Sequence, residues 1–341
     1  MRLCVFGAGA VGGYLAARLL QTGLHEVSVV ARGAHLRAIR ANGLRLIAPG
    51  EEFVVRPHAA TDRAQALPPQ DVVFVTLKAH AQPAAAEDIA GLLGESGSAV
   101  FASNGVPWWW HFRGERERGA PLPLLDPVSS LWLRVRPERA LGCVLYSANE
   151  TIAPGVVRHS ANNRWLLGEP DGTCSSRLRE AVAVLRAAGI GAEAVDDIRA
   201  QVWAKLLRNA PLNSLCALAR LPVEGLADDP ALTRLCGRVV DEIAAIAAGA
   251  GVRLGDHVEA AKAAPRLGGT IDGTRPVGIR PSMLQDLEQG RATEVDAILG
   301  QVVAFARDLG IATPVLDVLL PLIRALSRGV PTSPAGDRLG D

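Results

Sequence analysis

Arg2-Leu-Cys-Val-Phe6 opens the chain as a short apolar run, and the next apolar positions, Tyr14, Leu15, Leu19 and Leu20, fall at helical spacing. The first pattern predicts a buried strand and the second a helix that Gly23 closes. Residues 26–31, 71–77 and 99–103 are further strand-like runs. The run 71–77 is apolar without alternation, as expected of a central parallel strand covered on both faces. Residues 141–148 predict another strand, and 155–159 with 164–168 predict a hairpin pair. From Asp197 the strand patterns stop. Leu232, Leu235, Val239, Val240, Ile243 and Ile246 follow helical spacing, as do Val295, Ile298, Leu299, Val302, Val303 and Ala306.

The turn between the first strand and the first helix carries chemistry. Gly7-Ala8-Gly9-Ala10-Val11-Gly12 is a G-x-G-x-x-G loop with a strand before it and a helix after it. Gly7 allows the tight turn, Gly9 lets backbone N–H groups approach a pyrophosphate, and Gly12 lets the helix pack close to the strand. The phosphates then meet the positive end of the helix. These six residues are the expected cofactor cradle. The second strand should end near the adenosine ribose, where an NAD site usually places Asp or Glu. This chain has Arg32, with Arg37 and Arg40 nearby. A guanidinium cannot accept from a ribose hydroxyl but pairs bidentately with a 2′-phosphate. NADPH/NADP+ is therefore the expected cofactor.

The fold class that follows is α/β: an N-terminal Rossmann dinucleotide-binding domain over 1–196, then an all-helical domain over 197–328. Residues 329–341, rich in Pro, Gly and Asp, are expected to be a disordered tail. The 341-residue length fits two domains, and the net charge of +1 implies no polyanionic partner such as nucleic acid. Five cysteines (Cys4, Cys143, Cys174, Cys216, Cys236) form no C-x-x-C pair and have no histidine at metal spacing. A reduced, metal-free, cytoplasmic protein is expected. No apolar run reaches the ~18–20 residues that span a bilayer. The first apolar residues already belong to the nucleotide-binding strand, so no secretory leader is expected.

A second polar feature lies in the helical half. Lys205, Asn209 and Asn213 are four residues apart on a helix that otherwise carries Trp203, Leu206, Leu207, Leu212, Leu215 and Leu218. That spacing stacks the three side chains on one face. On a core-seeking helix they cost about 1–3 kcal/mol each unless paired. They read either as a buried structural network or as a site. Further on, Ser282 with Gln285 predicts a capping box and a helix start, and Gly290 predicts its left-handed end. Thr293 predicts a second start. One straight helix would hold Ser282 and Glu294 ~18 Å apart, whereas a break at Gly290 lets both helix starts face one pocket. Ser282 at a helix N-terminus would then suit a substrate carboxylate.

The chain resembles the ketopantoate reductase (2-dehydropantoate 2-reductase) family. The resemblance rests on G-A-G-A-V-G at 7–12, T-L-K-A at 76–79, S-N-G at 103–105 and A-P-G-V-V-R-H at 153–159. It continues in D-I-R-x-x-V-W-x-K-L-x-x-N-x-x-x-N at 197–213 and S-M-L-Q-D-L-x-x-G-R-x-T-E-V-D at 282–296. It implies a cytoplasmic NADPH-dependent reductase of pantothenate biosynthesis with a small-molecule 2-oxo acid substrate, and it allows a homodimer. Lys205 matches the lysine that protonates the ketone oxygen as hydride arrives. Glu294 matches the active-site glutamate. Ser282, Asn209 and Asn213 match substrate-binding positions, Asn104 and Lys78 match groups near nicotinamide and substrate, and Arg32 matches the 2′-phosphate position.

Departures bear on the substrate. After Asn104-Gly105 the chain runs Val-Pro-Trp-Trp-Trp, Ala81 stands where Gln is usual, and Pro281 replaces a common Ser or Thr before Ser282. Trp108–Trp110 either line the pocket or belong to a core or subunit interface. The first option motivates a paralogue acting on a bulkier ketone. A non-catalytic NADPH sensor is a further alternative, but a sensor has no use for a proton donor such as Lys205. His80, His159 and His257 read as structural or surface residues.

Overall fold

The computed structural model describes residues 1–114, 116, 118–267 and 278–328, in two compact units, Met1–Ile198 and Arg199–Asp341. The expected tail at 329–341 lies outside the described residues. In the first unit, β1 (Arg2–Phe6) has β2 (Glu26–Val30) on one side and β6 (Gln70–Val75) on the other, all parallel. The chain leaves β1 through α1 (Ala10–Thr22) toward one edge, then crosses back to lay down β6. That reversal opens a crevice at the carboxyl ends of the strands, where an open α/β sheet takes its ligand. The glycine loop stands there.

Outward from this centre, β5 (Ala59–Thr61) lies parallel to β2 and β7 (Leu93–Phe101) parallel to β6. The sheet then becomes mixed. β8 (Ala140–Ala153) is parallel to β7, β9 (Val156–Gly168) antiparallel to β8, and β3 (Leu44–Ala48) parallel to β9. β4 (Glu51–Val55) closes that edge beside β3, and β10 (Gly191–Ala194) also pairs with β9. Leu3 and Val5 of β1, Val27 and Val29 of β2 and Leu15 and Leu19 of α1 are completely buried. At about 1.5–3 kcal/mol per large aliphatic side chain, this burial is what holds α1 against the sheet.

The expected hairpin within 155–168 is a misreading. Those residues form the single strand β9, whose hairpin partner is β8, with the turn at Pro154-Gly155. Gly155 has φ 75°, which suits that turn. The polar stretch Ser160–Asn163 reads as a loop but continues the strand, with Asn162 at φ 60°, a conformation that asparagine tolerates. The strand bends there without ending, and its pairing with β8 shifts register near Ala148.

Trp108, Trp109 and Trp110 are 2%, 1% and 6% exposed, so they are core side chains of the first unit. Trp108 stands edge-on to Phe101 at 5.3 Å and to Trp132 at 6.5 Å between ring centroids. A Cβ at Gly142 of β8 would lie 2.5 Å from the Trp109 ring, so the indole occupies the space that a side chain there would need. Buried Asp126 organises the next segment by accepting from the N–H groups of Leu131 and Trp132 at 3.2 and 2.9 Å.

Helices α2 (Gly33–Asn42), α3 (Ala86–Leu92) and α4 (Ser176–Ala187) complete the first unit, and the second is helical: α5 (Ile198–Ala219), α6 (Val223–Asp228), α7 (Pro230–Gly249), α8 (His257–Leu267), α9 (Ser282–Glu288), α10 (Gln301–Asp308) and α11 (Leu316–Arg328). Asp229 caps α7 by accepting from Ala231 and Leu232 N–H, and Glu242 on α7 accepts from Val315 and Leu316 N–H at the start of α11. Trp203 and Phe305 meet at 6.2 Å in the core. Among the described residues no helix is long and apolar enough to cross a membrane, and no cluster of three or more His, Cys, Asp or Glu is placed to hold a metal ion.

Candidate active site

The three glycines of the loop do three different things. Gly7 has φ 104°, a left-handed conformation that disfavours any side chain. A Cβ on Gly12 would sit 2.2 Å from the Gly7 carbonyl oxygen and 2.4 Å from Thr76 Oγ1, so α1 packs against the loop at a distance only glycine permits. Gly9 is the N-cap of α1 in extended backbone (φ −66°, ψ −154°) with no side-chain cap. A Cβ there would meet nothing within 4 Å, so its missing side chain leaves space beside the helix start. First-turn N–H groups have no acceptor within a helix and suit a pyrophosphate. The loop fits a dinucleotide on these grounds. Thr76, which sequence reasoning noted only as part of a motif, donates its hydroxyl to the Gly7 carbonyl at 2.6 Å.

Strand register gathers the other expected groups of this unit. Phe6 pairs with Val75, and Val75 pairs with Phe101. Gly9, Lys78 and Asn104 each stand three residues past one of these partners, so they share the carboxyl edge of β1, β6 and β7. Lys78 and Asn104 are both half-buried. Gly105 (φ 84°) turns the chain directly after Asn104.

Arg32 lies two residues past β2, forms the N-cap of α2 (Gly33–Asn42) and is exposed. Its guanidinium makes no hydrogen bond or ion pair with the described residues. Arg40, expected nearby, is instead committed to the sheet, donating Nε to the Ala60 carbonyl at 2.9 Å. His35 is a further residue the sequence did not single out. Its Nδ1 accepts the Gly155 N–H at 3.0 Å, tying α2 to the β8–β9 turn. Burial holds its pKa below the ordinary histidine value.

In the second unit, Lys205, Asn209 and Asn213 lie on one face of α5, which runs unbroken through Pro211. Lys205 and Asn213 are buried at 9% and 4% exposure, and Asn209 is half-buried. Three bonds bring Asn209, Asn213 and Ser282 together. Asn213 Nδ2 donates to the Asn209 carbonyl at 2.8 Å. Asn213 Oδ1 accepts from the Met283 N–H at 3.0 Å and from the Ser282 hydroxyl at 3.2 Å.

The helix starts differ from the expected ones in detail. Pro281, not Ser282, is the N-cap of α9, and it makes no side-chain cap. A capping box needs the N-cap N–H as a donor, and proline has none. Gln285 accordingly turns its amide to the Arg280 carbonyl at 2.7 Å. The Met283 N–H, one of the donors at this helix start, is already bonded to Asn213. The break after α9 is as expected: Gly290 has φ 66°, Arg291 N–H bonds the Asp286 carbonyl at 2.7 Å and Gly290 N–H bonds that of Leu287. That pattern is a Schellman ending.

The next helical turn starts at Glu294, whose carbonyl accepts from Ile298 N–H at 3.0 Å. Thr293 does not cap it, because its hydroxyl pairs with Ser327 at 2.7 Å. Glu294 is 8% exposed and leads into a π-helical turn, Asp296–Gly300. Lys205, Asn209, Asn213, Ser282 and Glu294 thus all belong to the helical unit, and hydrogen bonds join Asn209, Asn213 and Ser282.

The glycine loop is shaped for a dinucleotide, and similarity to known proteins makes the class a dinucleotide-dependent oxidoreductase acting on a CH–OH group. The model of "Ketopantoate reductase PanE/ApbA" matches residues 3–172 and that of "Ketopantoate reductase PanE/ApbA C terminal" matches residues 197–327. The chain belongs to the ketopantoate reductase family. It is 41% identical over 329 residues to a 2-dehydropantoate 2-reductase of Mesorhizobium japonicum, covering 96% of this chain and 98% of that protein. A crystal structure of a PanE/ApbA family ketopantoate reductase from Ralstonia eutropha JMP134 matches with TM-score 0.79 and 29% identity, over 96% and 99% of the two chains. The same fold recurs in D-mandelate dehydrogenase solved with NADH and anilino(oxo)acetate, at TM-score 0.80, 22% identity and 97% and 99% coverage. The reaction is the reduction of a 2-oxo acid.

Proposed function

We propose that this protein reduces 2-dehydropantoate to pantoate with NADPH, residues 1–196 holding the cofactor and 197–328 the substrate. The observation that carries the reading is Lys205, an ammonium only 9% exposed on a helix of buried apolar side chains. An ammonium held there by the helix is placed to donate a hydrogen bond, and then a proton, to the oxygen of an incoming ketone. When bound, the cofactor supplies the hydride that reaches the carbonyl carbon. Lys205 stabilises the charge that develops on the carbonyl oxygen and gives it a proton, so the ketone leaves as an alcohol. Buried Glu294 supports the charged form of the lysine or receives a substrate hydroxyl. Asn209 and Ser282 bind the substrate, and Lys78 and Asn104 stand at the nicotinamide end.

Residues 7–12 cradle the pyrophosphate, and Arg32, exposed two residues past β2, receives the 2′-phosphate. Burial of Trp108–Trp110 in the core of the first unit favours 2-dehydropantoate over the bulkier ketone that the Trp run suggested. The deciding experiment is oxidation of NADPH, and separately of NADH, by purified protein against a panel of 2-oxo acids that includes 2-dehydropantoate. Highest kcat/KM on another 2-oxo acid would displace the substrate assignment. Equal use of NADH would displace the cofactor assignment.

A further inference from the structure

We infer that Asn213 is a positioning residue: it supplies, from α5, the N-terminal cap that α9 cannot supply for itself, and so sets where the Ser282 hydroxyl stands. The inference rests on the reading that Ser282 lines the 2-oxo acid site. Three observations carry it. Pro281 occupies the N-cap of α9 and has neither a side-chain acceptor nor an N–H. Met283, the second residue of that helix, donates its N–H to Asn213 Oδ1 at 3.0 Å, which is the bond an N-cap Ser, Thr, Asp or Asn would normally accept. The Ser282 hydroxyl donates to the same oxygen at 3.2 Å.

The orientation of the amide is fixed by chemistry. An oxygen facing two donors and a nitrogen facing the Asn209 carbonyl at 2.8 Å leave no room for the flipped assignment. Asn213 is 4% exposed, so its oxygen has little water to fall back on if α9 shifts. The carboxamide therefore locks two helix segments, 69 and 70 residues apart in sequence, in one register. The same arrangement explains why proline is tolerated next to a site residue. A self-capping side chain at 281 is dispensable while Asn213 caps in its place.

The test is a rescue. Asn213→Ala should raise KM for the 2-oxo acid by roughly 3- to 30-fold, the range that loss of a helix cap implies, with NADPH Kd unchanged. Adding Pro281→Ser, which returns a self-cap to α9, should restore most of that KM together with the melting temperature. Pro281→Asp is a second self-capping variant if the first double variant fails to fold. Recovery of melting temperature without recovery of KM overturns the inference, since Asn213 would then touch substrate directly. So does an Asn213→Ala variant with unchanged KM. Ser282→Ala, measured in parallel, tests the underlying reading alone: an unchanged KM there removes Ser282 from the site whatever the rescue shows.

Discussion

The glycine loop takes its shape chiefly from glycines within six positions of one another, whereas the start of α9 takes its shape from Asn213, 69 and 70 residues earlier. In the loop, Gly7 and Gly12 are dictated by backbone angle and by a 2.2 Å approach, so the residue type alone nearly specifies the geometry. At α9, the residue in the capping position is a proline that cannot cap, and the geometry comes from a side chain on another helix. The first kind of site is written locally and tolerates little substitution. The second is assembled by packing, and an exchange of partners can preserve it.

The largest test of this contrast is on the chemistry. Lys205→Ala should lower kcat by about 10²–10⁴, with NADPH Kd nearly unchanged. Parallel loss of cofactor binding would mean that the two sites are not separable as drawn. The converse variant is Arg32→Asp, which removes the 2′-phosphate partner and adds repulsion. It should weaken NADPH by about 2–3 kcal/mol while NADH binding and kcat at saturating cofactor stay close to wild type. Equal loss for both nucleotides would show that Arg32 does not discriminate between them.

Two glycine variants separate space from conformation. Gly12→Ala drives a Cβ into the Gly7 carbonyl oxygen at 2.2 Å, and backbone cannot give way cheaply. A cost of about 1–3 kcal/mol in stability is expected, seen as a lower denaturation midpoint. Gly9→Ala meets nothing within 4 Å and has an ordinary φ of −66°, so the fold should keep its stability. Cofactor affinity should nevertheless drop, because the new methyl projects into the space assigned to the pyrophosphate. If Gly9→Ala binds NADPH normally, the phosphates lie elsewhere.

What the sequence disclosed follows the same division. Strand β1, the loop, α1 and the left-handed stop at Gly290 were readable because each is set by neighbours in the chain. The hairpin of β8 and β9 was misread because the polar stretch Ser160–Asn163 reads as a loop, and only the pairing with β8 shows that the strand continues. The Lys205, Asn209 and Asn213 stripe was visible as a spacing. The bonding of Asn213 was not, since no local pattern says which distant N–H an amide will take. Pro281 carried a usable signal: a proline where a cap is needed implies a cap from elsewhere.

The smallest test asks how local the glycine loop really is. Thr76 follows β6, 69 residues beyond Gly7, and its hydroxyl donates to the Gly7 carbonyl at 2.6 Å. That carbonyl also accepts from Gly9 N–H at 2.8 Å, so it is not stranded when the threonine bond is lost. Thr76→Val keeps the shape and removes the donor, which should cost about 0.5–1.5 kcal/mol. If the bond holds the loop in its binding shape, most of that cost appears as NADPH Kd raised about 2- to 10-fold, and Thr76→Ser, which keeps the hydroxyl, restores it. If both variants bind as wild type does, the loop is self-sufficient and the contrast with α9 holds in its strongest form. If Thr76→Val alone weakens binding, even this loop depends on a distant partner, and the two sites differ in degree: one long-range bond trims a shape the glycines already make, while at α9 the long-range bonds make the shape.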